Sequence, residues 1–336
     1  MCLFPRILYN KKYQPNKKNK GIVPKLRDPQ FLRVQARCGR CIQCRKQIAR
    51  EWQQRLAEEL KTSRGYFTTL TFTEEDLERL TQEVESEKEY IERYGVENAV
   101  AKRAIELWRK RTWKAGLKER HWLITELGHE GTERVHIHGI IFSEATGNEI
   151  IESWPFGYAD CGRYCNDQSI GYIVKYVHKA DHSHPDFIGK IFASKGLGRQ
   201  WLEGYDAKKR HYEPGGKTRE FYRLSNGQKV SLAGYYRNHL YNSEEKEELW
   251  KEKLEKKYRF VDGVRYETRN QEELLNFYSA VVQRQRDNRA IGYPVRTWDL
   301  LVFEKATGQI KAIKNIDEEK WPKICELAKN GIYLLS

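Results

Sequence analysis

The chain has 336 residues, 39% of them hydrophobic and 32% charged, which is enough for one large or two small domains around a true core. No apolar run approaches the length of a membrane span, and the opening "MCLFPRILYNKKYQ" holds too short an apolar stretch for a secretory signal, so a cytoplasmic protein that avoids membranes is expected. Net charge is +14, and the first 50 residues carry 14 Lys and Arg against the one acid Asp28: a basic arm on a near-neutral body, the footprint of a nucleic-acid partner.

Residues 1–37 show little apolar patterning and predict an extended basic arm. "CGRCIQC" then places Cys38, Cys41 and Cys44 at C-x2-C-x2-C spacing. In a chain read as intracellular, that spacing suits a metal better than a disulfide. Cys2 is the cysteine on the N-terminal side that completes a tetrahedral zinc set. An iron–sulfur cluster, or three free thiols at a helix start, are the other readings. Arg40, Arg45 and Lys46 lie among these cysteines as candidate DNA contacts. From Ile42 to Leu60 the pattern turns helical, with Ile48, Trp52 and Leu56 on one face.

"YFTTLTF", Tyr66–Phe72, reads as a strand, and Thr73-x-x-Asp76 opens the next helix as a capping box. Helices are expected over 74–94 and 97–115, a strand over His121–Leu127, a turn near Gly131, and a second strand, "RVHIHGIIF", over Arg134–Phe142. A short helix at 147–153, a short strand at "FGYADCG" and a helix over 167–181 follow. That helix carries Ile170, Ile173, Val174 and Val177 as an apolar stripe. "GKIFASKGLGRQWLEGYD" reads as a loop and a short helix, and "KVSLAGYYRNHLY" as a strand running into a turn. Beyond Ser243 the chain predicts charged helices at 243–256 and 270–287 and a strand at "WDLLVFE". The sum is an α+β fold, a central antiparallel sheet flanked by helices. It carries a basic Cys-containing N-terminal arm and a mostly helical C-terminal region.

Strand alternation puts His136 and His138 on one face, about 7 Å apart along the strand. By itself that is a half-buried strand with a polar face. If the turn centres near Gly131, Glu126 lies opposite His136, about 5 Å away. A carboxylate and two imidazoles then make a three-ligand site with open positions for substrate. Glu130 and Glu133 are fallback carboxylates. "YIVKYVHK" places Tyr172 and Tyr176 one helical turn apart, with Lys175 and Lys179 beside them and away from the apolar stripe. Two surface tyrosines on an amphipathic helix are common. Beside a carboxylate–imidazole site and a basic arm they suggest phosphodiester chemistry. A phenol attacks a DNA phosphate, and a divalent metal (Mg²⁺ or Mn²⁺) and a lysine offset the charge of the transition state. The second His-x-His, in "DHSHPD", has no strand flanks and is discounted.

His136-x-His138 with Tyr172-x-x-Lys175-Tyr176 downstream resembles the HUH endonucleases, and "YFTTLTF" resembles their first motif strand. More closely, "MCLFP", "NKKY", "CGRCIQCRKQIAREW", "TELG", "HIHGIIF", "WPFGYADCGRY", "YIVKYVHK", "SKGLGRQWL" and "YYRNHLY" resemble, in order, the replication initiators of microviruses, the gokushovirus-like single-stranded DNA phages. The resemblance covers about residues 1–241. It implies a rolling-circle enzyme that nicks and rejoins an origin, a metal held by Glu126, His136 and His138, and nucleophiles at Tyr172 and Tyr176. Tyr172, in register with Lys175, is favoured for the first cut. It implies single-stranded and replicative-form phage DNA as substrates, and the cytoplasm of a bacterial host. A host helicase is expected, since "GLG" at 196–198 lacks the Lys-Ser/Thr of a nucleotide-binding loop. The expected division is 1–65 as arm, Cys cluster and helix, 66–241 as nicking domain, and 242–336 as an accessory region. The competing classes are a non-catalytic zinc-containing single-stranded DNA-binding protein, and a relaxase or transposase of the same superfamily.

Overall fold

The computed structural model describes residues 1–87, 95–128, 133–184, 186–294, 296–304, 306–330 and 332–335, without the side chains of Gln30 and Arg163. The expected turn near Gly131, Glu130, Pro185 and the end of the helix expected over 74–94 lie outside these residues. The chain divides into two compact units: Met1–Arg45 with Tyr212–Thr218 and Tyr241–Ser336, and Lys46–His211 with Arg219–Leu240.

The first unit corrects the expectation of an extended arm. β1 (Arg6–Tyr9) and β2 (Arg33–Ala36) form an antiparallel pair. The arm is basic, but Leu3, Phe4 and Ile7 are buried. The Ile7 amide donates to the buried Asp299 carboxylate at 2.9 Å, and the Asp299 amide donates to the Pro5 carbonyl at 2.8 Å. Partners nearly 300 residues away thus hold a segment whose own composition reads as solvated.

The second unit contains the sheet. α1 (Ile42–Leu60) begins in the first unit and continues into it. After α1 come β3 (Gly65–Leu70), α2 (Glu74–Ser86), α3 (Gly95–Lys114), β4 (Glu119–Leu127), β5 (Val135–Ser143), α4 (Gly147–Ser153) and β6 (Ala159–Tyr164). Then follow α5 (Asp167–Ile173), α6 (Lys175–His178), β7 (Ile191–Ala193), α7 (Tyr205–Lys208), β8 (Phe221–Arg223), β9 (Lys229–Ser231) and α8 (Gly234–Leu240). Thr73 caps α2 as expected, its hydroxyl accepting from the Asp76 amide at 3.2 Å. The sheet is five-stranded and antiparallel, in the order β6-β3-β5-β4-β7.

Alternation sorts its side chains onto two faces. Leu70, Leu123, Leu127, Val135, Ile137 and Ile141 face α2, α3 and α4. Trp122, Ile124, Ile140 and Phe142 face α1, α5 and α6 through Leu56, Ile170, Ile173, Val174 and Val177. Gly139 sits mid-strand between Thr68 and Leu123. A Cβ there would lie 2.2 Å from the Trp122 carbonyl oxygen, so only glycine lets these backbones approach. Two other segments differ from expectation. "KIFA", read as loop, supplies the edge strand β7, and "GYYRNHL" is the helix α8 because the buried Tyr236 packs on Trp201, centroids 4.4 Å apart.

The rest of the first unit corrects the expectation of a mostly helical C-terminal region. Three helices, α9 (Ser243–Glu255), α10 (Gln271–Ala290) and α11 (Trp321–Asn330), alternate with five strands. β10 (Tyr258–Val261) pairs with β11 (Val264–Glu267), and β12 (Trp298–Glu304) lies between β13 (Gln309–Ile316) and β14 (Ile332–Leu334). Leu274, Phe277, Tyr278 and Val281 of α10 pack with Trp298, Leu300 and Val302 of β12 and with Cys2, Leu3, Phe4, Cys41 and Cys44 in one core. Among the described residues no helix is long and apolar enough to cross a membrane.

Candidate functional site

The face of the sheet that carries Trp122, Ile124, Ile140 and Phe142 changes character at one end. Strand register pairs Glu126 with His136 and Thr69 with His138, so all four share that face. Glu126 Oε2 lies 3.1 Å from His138 Nε2. The other ring nitrogen of His138 lies 3.2 Å from Thr69 Oγ1, which fixes the imidazole and turns Nε2 toward the carboxylate. Lys179 Nζ donates to the other carboxylate oxygen. Burial pushes the Glu126 carboxyl up, but the bonds from His138 and Lys179 outweigh it and leave it below its ordinary value.

The His136 ring lies 6.4 Å, centroid to centroid, from that of His138. Burial, then the neighbouring His138, lowers its pKa and favours the neutral imidazole that ligates metal. A Cβ on Gly128 would lie 3.1 Å from His136 Cε1, so the missing side chain at 128 leaves the ring its place. One carboxylate and two imidazoles on a sheet face, one imidazole fixed through its far nitrogen, are a donor set that fits a divalent cation. Glu133, the fallback carboxylate, pairs with His184 at 3.3 Å. His184, of the discounted second pair, is buried against Asp181.

The tyrosines cover this end of the face. The expected helix over 167–181 is two short ones: Asn166 caps α5, and the chain tightens at Val174, where the Val177 amide returns to the Val174 carbonyl. Tyr172 ends α5 and Tyr176 lies in α6, yet their hydroxyls are 3.2 Å apart. Tyr176 stacks on His138 with centroids 4.8 Å apart and planes at 24°. Burial, the Tyr172 hydrogen bond and the Glu126 charge push its phenol well above the ordinary value. Tyr172, 53% exposed, rests beside Phe67 at 5.9 Å. Contacts therefore run without a gap from Lys179 through Glu126, His138 and Tyr176 to Tyr172.

A cleft of about 710 Å³ adjoins the phenols, lined by Lys46 and Arg50 of α1 and by Lys175 and Lys179, with no carboxylate among the described residues of its wall. Lys175 is exposed there. The sequence reading missed Arg50 and Thr69. Thr69 was already on the page as an alternate residue of "YFTTLTF". Arg45 corrects the list of DNA contacts: it is buried, and desolvation lowers its pKa to about 10. Arg40 is half-buried.

In the first unit, the sulfurs of Cys2, Cys38, Cys41 and Cys44 lie within 4.8 Å of one another. Among the described residues no other group of three or more His, Cys, Asp or Glu side chains converges so closely, and Glu126, His136 and His138 stay more open. Backbone amides aim at the sulfurs: Leu3 N–H at Cys41 Sγ (3.5 Å), Cys38 N–H at Cys2 Sγ (3.2 Å) and Cys41 N–H at Cys38 Sγ (3.4 Å). Hydrogen bonding from Cys2 pulls Cys38 far below its ordinary value and Cys41 down to about 7. Thiolates form readily here, so the cluster can hold a metal.

Residues 65–181, from β3 through α6, match the model of a family of replication-associated proteins, described by its member protein ORF2. No curated protein matches the chain, and no solved structure does. The matched stretch contains Glu126, His136, His138, Tyr172 and Tyr176. It leaves out the four cysteines and the basic residues of α1.

Proposed function

We propose that the chain is a rolling-circle replication initiator, a tyrosine endonuclease and strand-joining enzyme of the HUH type. It would nick the origin of a microvirus-like phage genome and later close the circle. The observation that carries this reading is the contact chain Tyr172–Tyr176–His138–Glu126 beside a basic cleft. The family match over 65–181 supports the replication-initiator role.

Tyr172 makes the first cut. It is the more exposed phenol, whereas burial and the Glu126 charge make Tyr176 hold its proton more tightly. The Tyr172 oxygen attacks the phosphorus and gives up its proton to solvent. The P–O3′ bond breaks, and the leaving 3′ oxygen takes up a proton. The 5′ end stays on the tyrosine, and the free 3′-hydroxyl primes synthesis. Lys175 and Lys179 hold the phosphate charge. Mg²⁺ or Mn²⁺, bound by Glu126, His136 and His138, supplies polarisation of the phosphate oxygen. After one circuit Tyr176 cuts the regenerated origin, and the released 3′-hydroxyl attacks the Tyr172 phosphodiester, freeing the phenol and closing the circle. Cys2, Cys38, Cys41 and Cys44 hold a structural Zn²⁺. The substrates are single-stranded and replicative-form DNA in the bacterial cytoplasm, with a host helicase opening the duplex.

Intact mass of the full chain after incubation with an origin oligonucleotide and Mg²⁺ or Mn²⁺ tests the assignment. The parent and each single Tyr→Phe variant should gain the mass of the 5′-linked fragment. The Tyr172→Phe/Tyr176→Phe variant should gain none. An adduct in that double variant, mapped to Tyr158 or Tyr164, overturns it.

A further inference from the structure

The end of α3 reads "RKRTWKAGLK", residues 109–118, with five Lys and Arg and no acid among its first six and last residues. Trp108 and Thr112 of this helix are buried against the sheet. One residue further round, Trp113 points the other way and is 80% exposed. An indole left this bare is unusual for a side chain with so much apolar surface to bury. The helix ends as the Leu117 amide reaches back to the Thr112 carbonyl at 2.9 Å, and the chain returns with Lys118 beside the last turn. Trp113, Lys110 and Lys118 line a cleft of about 800 Å³.

The charges here are not neutralised internally. Arg109 pairs with Glu119 at 3.5 Å, Glu106 with Lys102 at 3.4 Å, and Arg120 with Glu59. Among the described residues, Lys110, Arg111, Lys114 and Lys118 take part in no ion pair. Helix-end cations alone would need no more than complementarity to the helix dipole. That leaves the exposed ring and the cleft unexplained. A flat aromatic face framed by several unpaired cations is instead the pattern that binds single strands: bases stack on the ring and phosphates meet the cations, whatever the sequence. A membrane contact would need a broad apolar face, and cations flank Trp113 on both sides.

We propose that this cleft is a second single-stranded DNA site, with a base stacked on Trp113 and neighbouring phosphates held by Lys110, Lys114 and Lys118. It is separate from the nicking cleft, because α3 packs on the face of the sheet opposite Tyr172 and Tyr176. A strand held here stays bound whether or not its origin is cut.

The test uses the full-length chain carrying Tyr172→Phe and Tyr176→Phe, so that cutting plays no part, and a fluorescent (dT)20 oligonucleotide. Adding Trp113→Ala should weaken binding about tenfold, and Trp113→Phe should restore most of it, since one stacked base is worth about that factor. Lys110→Gln/Lys114→Gln/Lys118→Gln should reduce the slope of log affinity against log salt by about 2. Photo-cross-linking with an iodouracil-substituted strand should map to Trp113. Unchanged (dT)20 affinity in Trp113→Ala, with its melting temperature preserved, overturns the proposal. So does a loss confined to phosphatidylserine vesicles, or a cross-link that maps only to Tyr172–Lys179.

Discussion

The two groups of metal-ligating side chains follow different plans. Cys2, Cys38, Cys41 and Cys44 converge within 4.8 Å, with three of the four buried and amides aimed at the sulfurs. Such a closed set leaves no position for a substrate. Glu126, His136 and His138 stay spread along a sheet face, and Lys179 supplies the carboxylate with a charge partner. Their neighbours are phenols and a basic cleft, whereas the neighbours of the cysteines are Leu3, Phe4 and the core of α10 and β12. A convergent set in a core holds the chain together. A spread set on an open face can exchange one partner for another.

The contrast is broken most directly at His138. His138→Ala should lower origin cleavage about 10³-fold, equivalent to about 4 kcal/mol, and leave DNA affinity within about twofold, because phosphate contacts dominate binding. Equal losses in a gel-shift and a cleavage assay would make the histidine a structural residue. The opposite pattern is expected at Cys41. Cys41→Ser should take bound zinc from about one per chain to near zero and lower the melting temperature by on the order of 10 °C. Elemental analysis and calorimetry read this, and zinc retained at the parental level would place the metal elsewhere.

The smallest effect sharpens the role of Lys179. The Glu126 pKa is depressed in the fold, so the stability it contributes is present above its ordinary value of 4.5 and fades as pH falls below that toward the depressed value. Lys179→Met should flatten this acid-side slope in metal-free protein, measured by denaturant melts between about pH 3 and pH 5. An unchanged slope would leave His138 as the sole partner that matters to the carboxylate.

Much of the candidate site was legible because strands and helices impose short-range geometry. Glu126 opposite His136 follows once a hairpin turn length is chosen, and Tyr172 beside Tyr176 follows from one helical turn. The clustering of Cys38, Cys41 and Cys44 follows from their spacing. What escaped depends on partners remote in sequence. β7 has three residues and exists because β4 offers it an edge. α8 begins with glycine and two tyrosines, and tertiary packing of Tyr236 overrides that weak propensity. The basic arm looked solvated because nothing near it shows that Asp299 will receive its backbone. Arg45 looked like its basic neighbours, and only its burial separates it from them.

Gly139 directly follows the second histidine, so "HIHG" reads as one block, yet its parts answer to different demands. The histidines belong to the chemistry, while the glycine gives way to the Trp122 carbonyl. In a random mutagenesis screen scored only by phage yield, losses at 136, 138 and 139 would look alike. Scored by soluble protein per cell they would separate: histidine variants would accumulate as inactive protein, and Gly139 variants would be cleared by proteolysis. A pattern built from survivors alone would therefore count a steric requirement as a catalytic one.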